Sequence, residues 1–278
     1  LWPVLTASRK PLLRERFKVI SKMTNHLKVM LVVACLLCGG TSHAKEPLKK
    51  DDRIVFLGDS ITALGMRPTG YVTLTSKAIA KAHPNLNIEV IGAGIGGHKV
   101  PDCQRRLDAD VLQKSPTIVV IYIGINDVWH WTHPRVVARG KKGTTTEEFE
   151  GGLKDIIKKI NGVGARVILC TPTVIGEKTD GNPQDEMLDQ YSKISRKVAK
   201  ETGSQLLDLR IAFKAYLKQH NAKNATQGIL TKDTVHMNDA GNRMLSQLVL
   251  DALGVPPARP AALAPSQTEH SASPAASR

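Results

Sequence analysis

The sequence has little of what marks several classes of protein. Aromatic residues make up only 4% of its 278 residues, and there are only four cysteines. A disulfide scaffold has more cysteines in a shorter chain, and no apolar run approaches the roughly 18 residues of a membrane-spanning helix. The 41% hydrophobic and 23% charged residues are ordinary for a globular protein. Wholly disordered, collagen-like and multi-span membrane proteins are therefore excluded.

The net charge of +14 is unevenly distributed along the chain. Residues 1–44 carry seven basic residues against the single acid Glu15, which leaves 32 basic and 24 acidic residues, or +8, for the remainder. The basic residues of the remainder are scattered, and Lys141-Lys142 is too short a run for a nucleic-acid-binding segment. We therefore expect no nucleic-acid partner.

Residues 23–44 have the three parts of a secretory signal. A charged start is followed by nine apolar residues at 29–37 and then by small residues up to Ala44. Nine apolar residues are too few to cross a bilayer as a helix. We expect Met23 to be the start, residues 1–22 to be an upstream extension, and cleavage to follow Ala44. The protein would then be secreted or periplasmic, without a stable membrane span; a lipoprotein anchored through Cys35 is the alternative.

Cleavage after Ala44 would leave two cysteines, Cys103 and Cys170. A disulfide between them is permitted in an oxidising compartment. Cys170, however, ends a predicted buried strand, and two cysteines do not make a disulfide framework. We therefore expect two unpaired thiols.

The folding unit is expected over residues 45–254. Residues 255–278 include 16 Ala, Pro or Ser, a composition that predicts a flexible tail. Within the unit, five short apolar runs lack polar alternation, as strands buried on both faces do: 54–57, 88–91, 118–123, 167–170 and 206–209.

Helical periodicity separates these strands. Apolar residues recur on one helix face over 149–160, with Thr146 as the expected N-cap. Similar stripes run over 188–198 and over 240–252, the second with Asn238 as its cap. Strands that alternate with helices predict one α/β domain with a parallel, doubly wound sheet. Such sheets bind ligands at the carboxyl ends of their strands.

Polar motifs follow the strands as this rule requires. They are Gly58-Asp59-Ser60 after the first strand, Gly92-Ala93-Gly94 after the second, Gly124-Ile125-Asn126-Asp127 after the third, and Asp233-Thr234-Val235-His236 before the last helix. A serine hydroxyl is a weak nucleophile until a base removes its proton, and His236 is the candidate base. Asp233 is placed to fix the tautomer of that histidine.

Acyl transfer also needs hydrogen-bond donors for a developing oxyanion, and the backbone N–H of Gly94 and the side chain of Asn126 are the candidates. Each motif alone has a structural explanation, such as a helix cap at Ser60, an Asx turn at Asn126 or a structural histidine at His236. Their joint occurrence, in this order and after these strands, indicates ester hydrolysis.

The order Gly-Asp-Ser, Gly, Gly-x-Asn-Asp, Asp-x-x-His resembles the SGNH hydrolases, also called GDSL esterases and lipases, over about residues 54–253. The resemblance implies a flavodoxin-like three-layer α/β/α sandwich with a five-stranded parallel sheet. It implies Ser60 as nucleophile, His236 as general base and then acid, and Asp233 as its partner. The oxyanion hole would use the backbone N–H groups of Ser60 and Gly94 and the side chain of Asn126.

The resemblance implies neither a cofactor nor a metal ion. One position departs from the family pattern, because Gly92 stands where an asparagine often precedes the motif glycine by two residues. The oxyanion role of Gly94 is unaffected, and the departure concerns only the bracing of its loop.

Other functional classes have weaker signals. Gly92, Gly94 and Gly97 satisfy the G-x-G-x-x-G pattern of dinucleotide-binding proteins, but they follow the second strand and no helix starts directly at them. His130 and His133 have no acid nearby at helix spacing to complete a metal site. A binding protein without catalysis would be favoured by loss of the serine or histidine of the motifs, and both are present.

The substrate is the least determined feature. Residues 128–145 form an insertion directly after the candidate oxyanion asparagine, and Trp129 and Trp131 in it could stack on a sugar ring or pin the loop by packing. A small-molecule or polysaccharide ester is expected, with acetyl esters of carbohydrates favoured. Short-chain alkyl or aryl esters, lysophospholipids and thioesters are the alternatives, and the oligomeric state stays open.

Overall fold

Five β-branched or leucine-rich segments form one sheet in the computed structural model, which describes residues 46–256. The strands are β1 (Arg53–Gly58), β2 (Glu89–Gly94), β3 (Ile118–Tyr122), β4 (Arg166–Cys170) and β5 (Gln205–Leu207). Their order across the sheet is β2-β1-β3-β4-β5, and every neighbouring pair is parallel. This is the flavodoxin-like strand order, whose direction reverses between β1 and β3.

Nine α-helices lie within the described residues. They are α1 (Ser60–Gly65), α2 (Tyr71–Ala82), α3 (Val100–Asp110), α4 (Ile125–Trp129), α5 (Pro134–Val137), α6 (Thr146–Gly162), α7 (Asp185–Thr202), α8 (Leu209–His220) and α9 (Asp239–Ala252). The connection from β1 to β2 runs towards one edge of the sheet, whereas the connections from β2 to β3, β3 to β4 and β4 to β5 all run towards the opposite edge. Right-handed crossovers therefore place α2 on one face and α3, α6 and α7 on the other. Helix α9 packs on α2. The expected three-layer α/β/α fold is confirmed.

The sheet is most deeply buried in its centre. Every residue of β3, and every residue of β1 except Arg53, is buried, whereas β2 and β5 lie at the edges and are partly exposed. The prediction that all five strands are buried on both faces is therefore wrong for the two edge strands. The run at 206–209 also divides, because Asp208 caps α8 by accepting the backbone N–H of Ile211 and so ends the strand at Leu207.

Two helix details differ from the predicted ones. The N-cap of α6 is Thr145 rather than Thr146, since Thr145 and Glu148 form a reciprocal capping box. The buried face of α9 includes Gly241, Leu245 and Val249, one position along from the predicted stripe. Asn238 caps α9 as predicted, by accepting the N–H of Gly241.

The structure tests part of the predicted limits of the folded domain. The predicted signal segment at 1–44 lies outside the described residues, as does the predicted tail from residue 257 onward. Val255, which the tail prediction included, is buried, and its N–H donates to the carbonyl of Leu250, so the folded unit extends beyond residue 254. Cys103 and Cys170 are buried free thiols, as predicted. Between residues 46 and 256, no helix has the length and apolar character needed to cross a membrane.

Candidate active site

Three polar residues from distant parts of the chain meet at the carboxyl end of β1. The Nε2 atom of His236 lies 2.8 Å from the Oγ of Ser60, and its Nδ1 lies 2.9 Å from the Oδ2 of Asp233. Ser60 is the first residue of α1 and is partly exposed. When Nδ1 carries the proton and donates it to the carboxylate, Nε2 is the acceptor for the serine hydroxyl. The structure thus brings together the three residues predicted as catalytic.

The turn that carries Asp233 and His236 is closed by the aspartate itself. Its Oδ1 accepts the backbone N–H groups of Val235 at 3.4 Å and of His236 at 2.8 Å. Thr234 has a φ of 74°, which a β-branched residue rarely adopts, and its carbonyl accepts the N–H of Gly176. Burial acts to raise the pKa of Asp233, but hydrogen bonds from His236 outweigh it and hold this pKa below its ordinary value.

A buried carboxylate braces the chain that leads into this turn. Oε1 of Glu177 accepts the N–H of Leu230 at 2.7 Å, the hydroxyl of Thr231 at 2.8 Å and also the N–H of Thr231. Oε2 accepts the N–H of Ile229 at 2.7 Å. Thr231 in turn pairs with Met237 in an isolated antiparallel bridge. Glu177 therefore fixes the part of the chain against which the turn with the candidate histidine folds.

Asp59 caps the short helix that begins with Ser60. Its Oδ1 accepts the N–H of Ile61 at 2.8 Å, and the residue is 1% exposed. Burial, opposed in part by the Ile61 hydrogen bond and reinforced by the nearby Asp127, raises the pKa of Asp59 to about 7. The carboxyl next to the candidate nucleophile is therefore protonated in weakly acidic solution.

Gly94 ends β2 and packs against the first turns of α1. A Cβ at this position would lie 2.2 Å from the backbone nitrogen of Ala63 and 2.6 Å from the carbonyl carbon of Thr62. These are backbone atoms, which a side chain cannot displace at low cost. The absence of a side chain lets the second strand lie directly against the helix that begins with Ser60.

Asn126 reaches the site from the third strand. Gly124, with a φ of 123° that favours glycine, turns the chain from β3 into α4. The buried Asn126 donates from Nδ2 to the carbonyl of His98 at 3.0 Å. Within the described part of the chain, the second N–H of that nitrogen has no acceptor, so it is available to a ligand. The next residue, Asp127, is buried and accepts the N–H of Val100.

Arg106 ties together the ends of the strands that lead into the site. Its guanidinium donates to the carbonyls of Gly58 at 2.8 Å and Ala93 at 2.9 Å, and its Nε donates to Nδ1 of His98 at 3.1 Å. Burial and the charge of Arg106 lower the pKa of His98, so this imidazole is a neutral acceptor. Because the carbonyl of His98 also orients Asn126, Arg106 acts on three of the converging segments.

Residues 128–145, which we name the rim loop, form a loop whose two ends both lie next to the candidate oxyanion asparagine. The N–H of Thr144 donates to the carbonyl of Asp127 at 3.0 Å, which closes the loop. Trp131 donates from Nε1 to the carbonyl of Thr144, while Trp129 packs against the hydrophobic core. Both tryptophans are partly exposed. The packing role is thus seen for both, and part of each side chain stays open to solvent.

Within the G-x-G-x-x-G pattern, backbone packing explains the central glycine. A Cβ on Gly92 would lie 2.4 Å from the sulfur of Met66, and Gly94 contacts the backbone of α1. The next helix begins only at Val100, after Lys99 as its N-cap. Close contact between β2 and α1 therefore accounts for Gly94, whereas at Gly92 only the exposed and flexible side chain of Met66 would have to move.

The two histidines of the rim loop belong to its packing. His133 lies edge-on to Trp129 with ring centroids 4.4 Å apart. Burial and the charge of Lys99 lower the pKa of His130. No group of three His, Cys, Asp or Glu residues able to hold a metal ion occurs among residues 46–256.

Sequence reasoning missed two residues that organise the site, Glu177 and Arg106. The sequence carries one signal for Glu177, which is the first charged residue after the strand β4 and follows the uncharged stretch at 171–176. Arg106 had none, because a basic residue on an amphipathic helix is ordinary until its partners are known.

Comparison with known proteins gives the family. Residues 56–244 match the model of the GDSL-like lipase/acylhydrolase family. The acetylxylan esterase of Geobacillus stearothermophilus is 32% identical over 217 residues, which are 73% of this chain and 94% of that enzyme. Esterase TesA of Pseudomonas aeruginosa is 24% identical over 185 residues, 66% of this chain and 78% of that protein.

Solved structures give the same relationship. The acetyl xylan esterase AlAXEase has a TM-score of 0.68 and 42% identity, with 72% of this chain and 99% of that chain covered. Axe2, an acetylxylan esterase from Geobacillus stearothermophilus, has a TM-score of 0.66 and 30% identity, with 75% of this chain and 97% of that chain covered. Variants of Axe2 described as catalytic mutants replace a serine, an aspartate and a histidine, and the last two lie three positions apart, as Asp233 and His236 do. The resemblance inferred from the motifs is confirmed: this chain belongs to the GDSL-like lipase/acylhydrolase family and is a carboxylic ester hydrolase.

Proposed function

We propose that the protein is a secreted serine esterase that releases acetyl groups from carbohydrates through an acyl-enzyme. The hydrogen-bonded series from Ser60 through His236 to Asp233 is the observation that carries this proposal. Relatives with 30–42% identity, matched over most of their length, are acetylxylan esterases. The same three residue types are replaced in the catalytic mutants of one of them.

The first chemical step is acylation of Ser60. Its Oγ forms a bond to the ester carbonyl carbon while Nε2 of His236 takes the hydroxyl proton, and the carbonyl electron pair moves onto oxygen. The imidazolium is stabilised by the ionised Asp233, whose pKa is held below its ordinary value. His236 then gives the proton to the leaving alcohol as the ester C–O bond breaks.

The second step returns the enzyme to its starting state. A water molecule loses a proton to His236 and attacks the acetyl-serine, and the collapse of the second tetrahedral intermediate releases acetate and restores the Ser60 hydroxyl. In both steps the oxyanion is stabilised by the N–H groups of Ser60 and Gly94 and by the side chain of Asn126. The bond from Asn126 to His98 orients this donor before the substrate binds. No cofactor takes part in the proposed reaction.

The acetyl ester is favoured over a long acyl chain on the character of the surface. A long chain needs a continuous apolar surface beside the nucleophile. The exposed large apolar side chains among residues 46–256 are Met66, Ile95, Val137, Val163, Leu206 and Ile211. Of these, Ile95 directly follows a strand that leads into the site and Val137 lies in the rim loop, and two isolated side chains do not make a continuous apolar surface. A lysophospholipase or thioesterase activity is the alternative.

Substrate profiling tests the proposal. The panel consists of p-nitrophenyl esters of increasing acyl length, acetylated xylo-oligosaccharides, a lysophospholipid and an acyl thioester. We expect the highest kcat/KM on acetyl esters and release of acetate from the oligosaccharides. A kcat/KM that rises with acyl length, or a preference for the lysophospholipid or thioester, would support the alternative instead.

Secretion is tested separately from catalysis. Expression from Met23 in a bacterial host, followed by fractionation and N-terminal sequencing, should give a protein outside the cytoplasm that begins at Lys45. A membrane-bound product that is released by the Cys35→Ala substitution would replace this expectation with lipoprotein anchoring. Retention of residues 23–44 in a cytoplasmic product would contradict both.

A further inference from the structure

The rim loop concentrates positive charge beside the site. Residues 46–256 contain 29 basic and 23 acidic residues, an excess of six. The rim loop supplies four of that excess, because it has four basic residues and no acidic one: Arg135, Arg139, Lys141 and Lys142. One short segment therefore accounts for most of the net charge of the described chain.

The four basic side chains of the rim loop form no ion pair within the described residues. All four side chains are exposed, and within the described range none lies within 4 Å of a carboxylate. Hydrogen bonds with Thr145 lower the pKa of Glu148 and the charge of Lys142 contributes, but the side chains of Lys142 and Glu148 form no ion pair, because Glu148 closes the capping box of α6. Clustered like charges repel one another, so the stability of the fold does not explain them.

The position of the rim loop connects these charges with catalysis. The loop begins two residues after Asn126, and the carbonyl of Lys142 accepts a hydrogen bond from the Nζ of Lys99 at 2.9 Å. Lys99 follows His98, whose carbonyl orients Asn126. The Nζ of Lys142 also lies 5.8 Å from the ring centroid of the partly exposed Trp131. Trp131, Lys142 and Lys99 are thus linked to one another, and Lys99 is adjacent in sequence to the residue that orients Asn126.

We propose that the rim loop binds carboxylates on the substrate, so that the preferred substrate is an acetylated polysaccharide that also carries uronate groups. This inference rests on the proposed function. Guanidinium groups bind carboxylates in bidentate fashion, and exposed cations steer an anionic ligand towards the surface that they border. The ligand that gains from this attraction is the one that reacts at Ser60. An acetylated acidic polysaccharide carries both the negative charge and the acetyl ester.

Neutralisation of the rim loop tests the inference. The variant replaces Arg135, Arg139, Lys141 and Lys142 by glutamine. The matched control replaces four exposed lysines that form no ion pair in the described range, Lys77, Lys81, Lys114 and Lys158, by glutamine and removes the same charge. Substrates are acetylated xylo-oligosaccharides with and without a uronate substituent, and p-nitrophenyl acetate.

We expect the rim-loop variant to lose on the order of tenfold in kcat/KM on the uronate-bearing substrate, as four exposed charge contacts of ordinary strength would give. Its activity on the neutral oligosaccharide and on p-nitrophenyl acetate should be unchanged, and the control variant should behave as wild type. The wild-type preference for the acidic substrate should also disappear as sodium chloride is raised, because salt screens exposed charges.

A binding titration separates this inference from the proposed function. Tryptophan fluorescence with de-acetylated acidic and neutral oligosaccharides reports binding without hydrolysis. Equal affinity for the two, or an equal loss on both in the rim-loop variant, overturns the inference. Tighter rim-loop-dependent binding of a single-stranded RNA or of phosphatidylglycerol vesicles than of the acidic oligosaccharide also overturns it. A lack of acetylesterase activity despite selective acidic binding refutes the proposed function alone.

Discussion

The substitution Glu177→Gln tests how the turn with His236 is held in place. Three donors converge on Oε1 and one on Oε2. Glutamine can keep its oxygen towards the three donors only by presenting its NH₂ group to the N–H of Ile229. The change removes one hydrogen bond to a charged acceptor, which contributes about 1.5–3 kcal/mol, and leaves the partly buried N–H of Ile229 facing an NH₂ group.

Together these losses predict a fall of roughly 3 kcal/mol in the free energy of unfolding. For a domain of this size, that corresponds to a decrease in Tm of about 6–12 °C. Glu177 touches none of the three residues Ser60, Asp233 and His236, so it acts as a positioning residue. We expect kcat on p-nitrophenyl acetate at 25 °C to fall on the order of tenfold with little change in KM, because the histidine is held less firmly towards the serine.

The assay compares thermal unfolding and kcat across pH for wild type, Glu177→Gln and a control, Glu186→Gln. Glu186 is exposed, and no hydrogen bond or ion pair of its side chain occurs in the described range, so this control should keep the wild-type kcat and lose at most about 1 kcal/mol of stability from its place in the first turn of α7. An unchanged Tm would refute the hydrogen-bond reasoning. A lower Tm with an unchanged kcat and pH profile would show that Glu177 stabilises the fold without positioning the histidine.

Three further predictions follow from the site. Gly94→Ala should lower both Tm and kcat because the added Cβ meets the backbone of α1. The control Gly151→Ala, at a helix position with free space, should raise the free energy of unfolding by roughly 0.5–1 kcal/mol. Equal Tm values for the two variants would contradict the packing argument. Asn126→Ala should lower kcat by roughly 10²–10³, and an unchanged kcat would remove this amide from the oxyanion hole. The raised pKa of Asp59 means that the folded state binds its proton more tightly than the unfolded chain, so its contribution to stability is complete below about pH 4 and is lost as pH rises to about 7. Asp59→Asn, which keeps the acceptor for Ile61, should therefore flatten the dependence of Tm on pH over this range, and a slope equal to that of wild type would contradict the assignment.

The fold could be predicted because buried parallel strands leave a strong sequence signal. The uninterrupted apolar runs of β1 and β3 and the 3.6-residue period of α6 each follow from burial in a layered domain. The ends of the elements have a weaker sequence signal. Thr145 and Thr146 are chemically alike, and only the reciprocal bond with Glu148 distinguishes the true cap. The edge location of β2 depends on which strands pair, a long-range property that its own residues do not encode.

The site could be predicted in part for the same reason. Ser60, Gly94 and Asn126 stand directly after strands of a sheet whose carboxyl ends converge, so their order along the chain indicates a common location. Glu177 and Arg106 act through backbone carbonyls and N–H groups of other segments, and such partners have no side-chain signature in the sequence. The four cations of the rim loop were visible, but their freedom from ion pairs is a property of the folded surface.

The account rests most directly on the role of Ser60, and one comparison tests it. The measurement is kcat/KM for acetate release from an acetylated xylo-oligosaccharide by wild type and by Ser60→Ala, with circular dichroism to verify that both are folded. We predict a loss on the order of 10⁴-fold or more in the variant, with an unchanged spectrum. A folded Ser60→Ala protein that keeps more than about a tenth of the wild-type activity would contradict the proposed acyl-enzyme mechanism.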